Sequence, residues 1–356
     1  MTRQGLKGKA QTVLGVVDGG NLGITLPHEH LFIDLGCYAL EPKDPEEREM
    51  ARQKISLENL WYHRQNIFCG PDNMVLDDED MAIREATYFK KLGGKTLIDV
   101  TPIGVGRTPE RLVRVAKATG LHLIMGTAYY VAISFAPSMG IESRTEKDIA
   151  DEFIRDITVG VGDTGIKAGI IGEIGCSWPL DDREKKVLRA SGIAQQETGA
   201  SITIHPGPNP TAPFEIVRIL QETGADLSRV VIGHTTRTFP IDAWDMCVKL
   251  CEQGCYIEED WFGREGERPV SLMSQLEKVT DTQRINLLLR LIEAGFLDRI
   301  LISHDICFRV MLRSYGGGGY SYILRFMIPE MRKKGMTEHQ INSILVDNPR
   351  RISTFA

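Results

Sequence analysis

Apolar residues recur along this chain in short runs, separated by longer stretches whose apolar positions have helical spacing. Seven runs rich in Val, Ile, Leu and Thr have the pattern of buried parallel strands: Thr96–Thr101, Leu121–Thr127, Ala168–Glu173, Ser201–His205, Val230–His234, Cys255–Asp260 and Ile300–Asp305. A first strand near Thr25–Phe32 brings them to eight. Helices are predicted between them at Asp80–Leu92, Pro109–Ala118, Glu146–Val159, Asp182–Thr198, Pro213–Thr223 and Ile241–Gln253. Most run into a glycine, such as Gly120, Gly199 or Gly224, as a helix C-terminus requires. Strands alternating with helices of about 10–15 residues imply parallel pairing through crossover helices. Eight such units predict a closed (β/α)8 TIM barrel rather than an open sheet. No glycine-rich phosphate fingerprint opens a helix after the first strand, and Arg313–Gly319 lacks the Lys-Ser/Thr of a phosphate loop.

The pattern is less regular near the N-terminus. Gln11–Val17 and Leu22–Leu26 flank the turn Asp18-Gly-Gly-Asn21, which predicts a β-hairpin within residues 9–26. Residues 35–80 are rich in proline and charge and form an insertion after strand one, with a helical stretch around Ser56–Gln65. Length alone, 356 residues, would allow two domains. Barrels with insertions reach this size as one, so residues 1–356 are expected to form a single barrel domain.

Composition narrows the function classes. The net charge is −6 with acids and bases mixed, which leaves no basic footprint for nucleic acid or an anionic membrane. No apolar run is long enough to span a bilayer, and the first residues lack the apolar core of a signal peptide. The expectation is a soluble cytoplasmic protein acting on a small molecule. Seven scattered cysteines argue for a reducing compartment, and the spacing of Cys247, Cys251 and Cys255 fits buried small residues better than a zinc site.

The chemistry lies at the strand ends. His28 and His30 share one face of strand one. Glu173, His205, His234 and Asp305 close four later runs. Catalytic side chains of such barrels lie at the C-terminal ends of the strands. Imidazoles and carboxylates there would suit zinc first, with manganese or cobalt as alternatives. A carboxylate at Glu173 could bridge two divalent ions about 3.5–4 Å apart, sharing a hydroxide that attacks the substrate. Asp305 could also accept a proton. His304 should face away by the period of two.

At these residues the chain resembles the phosphotriesterase family of the amidohydrolase superfamily. The resemblance runs through Gly23-Ile-Thr-Leu-Pro-His-Glu-His30, Asp99-Val-Thr-Pro102, Gly106-Arg107, His205, His234, Ser303-His-Asp305 and Asn348-Pro349. The segment Gly169-Ile-Ile-Gly-Glu-Ile-Gly-Cys-Ser-Trp-Pro-Leu180 is similar to the phosphotriesterase-related branch. The resemblance implies a homodimer with two divalent ions per chain. One ion would sit on His28, His30 and Asp305 and the other on His205 and His234, with Glu173 between them. Tyr130 matches a tyrosine near the metals in lactonase-like members. The branch is associated in animals with N-acetyltaurine hydrolysis.

Two departures stand out. The triester and lactone branches use a carbamylated lysine as bridge; here that position is Gly172, and the carboxylate follows one residue later. A one-residue shift swaps strand faces unless the strand bulges, which Gly172 would permit. The family's relay carboxylate after the strand-six histidine is absent, its places being Thr236 and Arg237. Arg237 and Arg107 are candidates for an anionic substrate group, Tyr130 for a carbonyl, and Trp261 and Phe262 for an apolar wall. The expected activity is metal-dependent hydrolysis of a carboxylic ester, lactone or N-acyl amide. The alternatives are organophosphate triester hydrolysis, mononuclear deamination, and a binding protein on a barrel that has lost catalysis.

Overall fold

Eight parallel strands form a sheet in sequential order, as the apolar runs predict. They are Thr25–Glu29 (β1), Thr96–Asp99 (β2), His122–Thr127 (β3), Ile170–Gly175 (β4), Ile202–His205 (β5), Val230–Ile232 (β6), Tyr256–Glu259 (β7) and Ile300–Ile302 (β8). The computed structural model describes residues 3–265 and 278–356. β8 comes back beside β1, where the Asp305 amide donates to the His28 carbonyl at 3.3 Å and the His28 amide to the Ser303 hydroxyl at 3.2 Å. The sheet is thus a nearly closed TIM barrel.

Helices Glu79–Lys91, Pro109–Thr119, Glu146–Thr158, Asp182–Thr198, Ala212–Glu222, Trp244–Glu252 and Asp281–Glu293 cover its outside. The first six have bounds within three residues of the intervals expected, and Asp281–Glu293 was not among those intervals. Their ends follow cap chemistry. Asp181 and Thr145 begin Asp182–Thr198 and Glu146–Thr158 with reciprocal capping boxes, and Gly120 and Gly199 end Pro109–Thr119 and Asp182–Thr198 in the left-handed conformation. Among the described residues no helix is long and apolar enough to cross a membrane.

The barrel floor is closed from below. Ala10, Ile98, Ile124, Ile170, Val231, Leu301 and Ile352 are fully or nearly fully buried and form one cluster inside the strands. Ala10 belongs to the N-terminal hairpin, so the hairpin plugs the end opposite the site. That hairpin differs from the expected one. Its strands are Lys9–Thr12 and Gly15–Asp18, and the turn falls at Val13-Leu14. The Thr12 hydroxyl accepts from the Leu14 amide and donates to the Gly15 carbonyl, which holds the tight turn. Asp18-Gly-Gly-Asn21 instead leads into β1.

The insertion contains short helices at Pro45–Arg52, Leu60–Gln65 and Pro71–Met74, and Ile33–Asp34 pairs antiparallel with Val75–Leu76. The helix expected from Ser56 starts only at Leu60. Asn59 accepts from the Ser56 amide and makes the preceding residues a turn.

Several strands stop short of their predicted ends, among them the two that lead to His234 and Asp305. β6 ends at Ile232 and β8 at Ile302. His234 and Asp305 follow with left-handed backbone, each at φ 54°. There the amides leave the ladder: His234 donates to Asp260 Oδ2 at 2.9 Å, and Asp305 to His28.

Candidate metal centre

Glu173 faces the barrel mouth because β4 is irregular. Its pairing with β5 shifts register between Ile171 and Ile174. Gly172 sits at φ 145°, and a Cβ there would come within 2.2 Å of Thr203 Cγ2 and 2.7 Å of the Thr203 carbonyl. Only glycine fits this crossing, so the bulge expected at Gly172 is observed.

The bulge brings Glu173 among four imidazoles. Its Oε2 lies 3.4 Å from His28 Nε2, 3.1 Å from His205 Nδ1 and 3.5 Å from His234 Nε2. Its Oε1 lies 3.4 Å from His30 Nε2. Asp305 Oδ1 is 3.2 Å from His30 Nε2, and His205 Nδ1 is 2.7 Å from His234 Nε2. All six side chains are buried. The structure therefore gathers every residue of the predicted ligand set on one point. His28, His30 and Asp305 form one group that could hold a metal, and His28, Glu173 and His234 form another.

Three imidazoles are tethered from behind. His28 Nδ1 meets Glu258 at 3.1 Å and Asp260 at 3.3 Å. His234 Nδ1 meets Asp260 Oδ1 at 2.9 Å, and His30 Nδ1 meets the Thr101 hydroxyl at 2.9 Å. Each tether turns the opposite Nε2 toward Glu173, the arrangement in which outer carboxylates orient metal-binding histidines.

The electrostatics are those of a pocket built around positive charge. Burial disfavours protonation of His28, but Asp260 and Glu173 outweigh it and hold the imidazole well above its ordinary value. His234 is likewise raised to about 9 against burial, chiefly by Asp260. His205 goes the other way, to about 3, through burial and the charges of Arg237 and His234. Burial would raise Glu173, yet His28 and the hydrogen bonds of His205 and His234 hold it well below the carboxylate range.

The donor set fits a divalent cation. His28 Nε2, which is turned toward Glu173, is buried without a hydrogen-bond partner among the described residues, an arrangement that leaves a lone pair unused unless an ion takes it. Nitrogen and carboxylate oxygen donors are those that zinc, manganese or cobalt accept.

Above this floor opens a cavity of about 500 Å³. Rings close around it. From His205 the ring centroids run to Tyr130 at 4.9 Å, Tyr38 at 6.1 Å, Phe68 at 5.9 Å and Phe308 at 5.4 Å. The Arg264 guanidinium lies 5.8 Å from the Phe308 ring and 4.3 Å from that of Trp261. Trp261 returns to His234 at 6.3 Å, and His234 to His205 at 4.4 Å.

Two arginines of this wall are buried. Arg264 Nη1 donates to Asp305 Oδ2 at 2.8 Å, and Trp261 Nε1 donates to the same oxygen at 3.2 Å. Arg237 Nη1 donates to the Pro206 carbonyl at 2.8 Å, and its Nε is buried without a partner. Among the described residues no carboxylate pairs with Arg237. The Tyr130 hydroxyl lies 3.4 Å from His205 Nδ1.

Other candidates lie elsewhere. Arg107 pairs with Asp156 at 2.7 Å and donates to Thr127, so its charge is spent within the fold. Phe262 is buried away from the cavity, while Trp261 lines it. His304 faces outward from the site, its Nδ1 2.6 Å from Glu29 and its Nε2 accepting from the Ile323 amide.

Residues 8–353 match the phosphotriesterase family. The chain belongs to that family. It is 41% identical to an N-acetyltaurine hydrolase of Dictyostelium discoideum, over 98% of each chain. It is 40% identical to the human N-acetyltaurine hydrolase, over 98% of this chain and 99% of that one. A crystal structure of a resiniferatoxin-binding protein from Rhodobacter sphaeroides superposes with a TM-score of 0.93 at 32% identity, covering 99% of this chain and 98% of that one. The chain is thus a hydrolase of the phosphotriesterase family with a barrel of the family's kind.

Sequence reasoning about this family member missed Glu258 and Asp260. A signal was present: three acids, Glu258-Glu259-Asp260, close an apolar strand, which is costly unless they are partnered. Period two puts the first and third on one face, and these are the two that meet the histidines. Glu259 faces out to Arg284 at 3.0 Å.

Proposed function

We propose that this phosphotriesterase-family chain is a single-domain, binuclear metal-dependent hydrolase whose first substrate class is a small N-acyl amide with an anionic tail. Esters and lactones belong to the same acyl chemistry. The observation that carries the substrate class is Arg237, a buried guanidinium that pairs with no carboxylate among the described residues, beside a cavity over six ligand-type side chains. A sulfonate or carboxylate would supply its missing counter-charge. The names of the relatives agree with this chemistry, since N-acetyltaurine is an acetamide ending in a sulfonate.

In this reading His28, His30 and Asp305 hold one ion, His205 and His234 the other, and Glu173 both. Zinc is the first choice. The ions would supply Lewis acidity toward the acyl oxygen and activate water at neutral pH. Tyr130 donates a hydrogen bond to the substrate carbonyl, and Arg237 fixes the anionic tail. Arg264 and Trp261 fix Asp305 Oδ2, so its Oδ1 keeps its orientation toward His30.

The test compares an N-acetyl amino sulfonate with a paraoxon-like triester on one metal-loaded preparation. The acyl compound is expected to have the higher kcat/KM. A triester value about a hundredfold above every acyl compound, about 2.7 kcal/mol in transition-state binding, would overturn the proposal. Turnover of neither class would favour a binding protein.

A second expected result concerns the tethers. Asp260→Asn should weaken metal binding about 10–100-fold, because it loosens both His28 and His234. Competition with a chromogenic chelator measures this directly. The exposed Asp148→Asn serves as control, and equal affinities in both variants would remove Asp260 from the role.

A further inference from the structure

The collar of rings around the cavity is lopsided, and that bears on what the acyl group can be. We infer that the enzyme takes anionic N-acyl amides whose acyl group is apolar and larger than acetyl, about four to six carbons. This inference rests on the hydrolase proposed above and names its substrate more closely.

Two opposite sides of the collar differ in chemistry. Arg237 stands on the His205 side, since it donates to the carbonyl of Pro206, the next residue, and its charge acts on His205, Tyr130 and Tyr38. Around the collar from His205, Phe308 is the fourth member by way of Tyr130, Tyr38 and Phe68, and the fourth by way of His234, Trp261 and the Arg264 guanidinium, so it stands opposite. Phe68 is its neighbour at 5.4 Å. Both are buried, and Ile33, Leu35 and Cys307 line the cavity with them. These five residues present carbon and sulfur.

An N-acyl amino sulfonate carries its anion on the amine side of the scissile bond. With that anion held at Arg237 and the carbonyl over Glu173, the acyl group must continue away from Arg237. It then enters the apolar recess of Ile33, Leu35, Phe68, Cys307 and Phe308. An acetyl group offers one methyl to this recess. A cavity of about 500 Å³ lies in the range that encloses drug-sized ligands, about 300–1,000 Å³. Filling the recess with methylenes is favourable, at about fourfold per buried group.

The experiment measures kcat/KM for acetyl-, butanoyl- and hexanoyl-taurine on the metal-loaded protein. Hexanoyl-taurine should exceed acetyl-taurine at least tenfold, which requires burial of only two of the four added methylenes. Calorimetric binding of the same series to metal-free protein, without turnover, should follow the same order. Phe68→Ala should lower the hexanoyl-to-acetyl ratio at least threefold, and the wild-type series decides if that variant fails to fold. A fall in kcat/KM with each added methylene, acetyl being best, would overturn the inference while leaving the hydrolase proposal intact. Absence of turnover for all three compounds would instead overturn the hydrolase proposal.

Discussion

Glu173→Gln is expected to lower kcat/KM on acyl substrates by on the order of 10²–10³, about 2.7–4 kcal/mol, with the fold kept. Both oxygens of Glu173 face imidazole nitrogens at 3.1–3.5 Å, and four histidines converge on them. Glutamine offers one neutral oxygen and, on the other side, an amide donor aimed at nitrogens that must present lone pairs to an ion. Losing an outer partner of a metal ligand typically costs 10–100-fold, and a ligand shared by two ions should cost more. Elemental analysis after reconstitution with excess zinc or manganese gives an independent reading. The wild type should saturate at about two ions per chain, because six ligands exceed what one four-coordinate ion uses. The variant should fall toward one, with an unchanged circular dichroism spectrum. Full metal content and a rate within threefold of wild type would take the bridging role away from Glu173.

How far the sequence reaches depends on the kind of geometry involved. The barrel was legible because parallel strands buried on both faces become continuous Ile/Val runs, and helix ends announce themselves through Gly120, Gly199 and the Thr145 and Asp181 caps. The six ligand-type residues were legible because each closes such a run or lies just beyond it. The facing of Glu173 was harder. A strict period of two sends Glu173 to the wrong side, and only the register shift at Gly172 corrects it. His234 and Asp305 lie past the ladder in left-handed backbone, which no alternation of apolar residues encodes. Glu258 and Asp260 needed only the period of two, applied to the right strand. The collar was out of reach. Tyr38 and Phe68 come from the insertion, where no repeating pattern says which side chains reach over the barrel mouth. Likewise, nothing near Arg237 in sequence marks it as unpaired while Arg107 meets Asp156. That distinction arises from tertiary packing.

Arg237→Ala should then separate substrates by charge. Arg237 is buried, donates to one backbone carbonyl and leaves Nε without a partner. A buried guanidinium in this state is costly to the fold unless a ligand completes it. A charge-assisted hydrogen bond to a sulfonate or carboxylate is worth about 1.5–3 kcal/mol, so its loss should lower kcat/KM for an anionic N-acyl amide about 10–150-fold. A neutral ester or lactone of the same acyl group makes no such contact and should change by less than about threefold. Because the anion lies away from the reacting carbonyl, much of the loss should appear in KM, as uniform binding energy does. Removing the guanidinium also removes an uncompensated charge, so the variant should unfold at a temperature no lower than the wild type's. Equal losses for charged and neutral substrates, measured on preparations of equal metal content, would move Arg237 out of the substrate site and make it a support for the Pro206 turn beside His205.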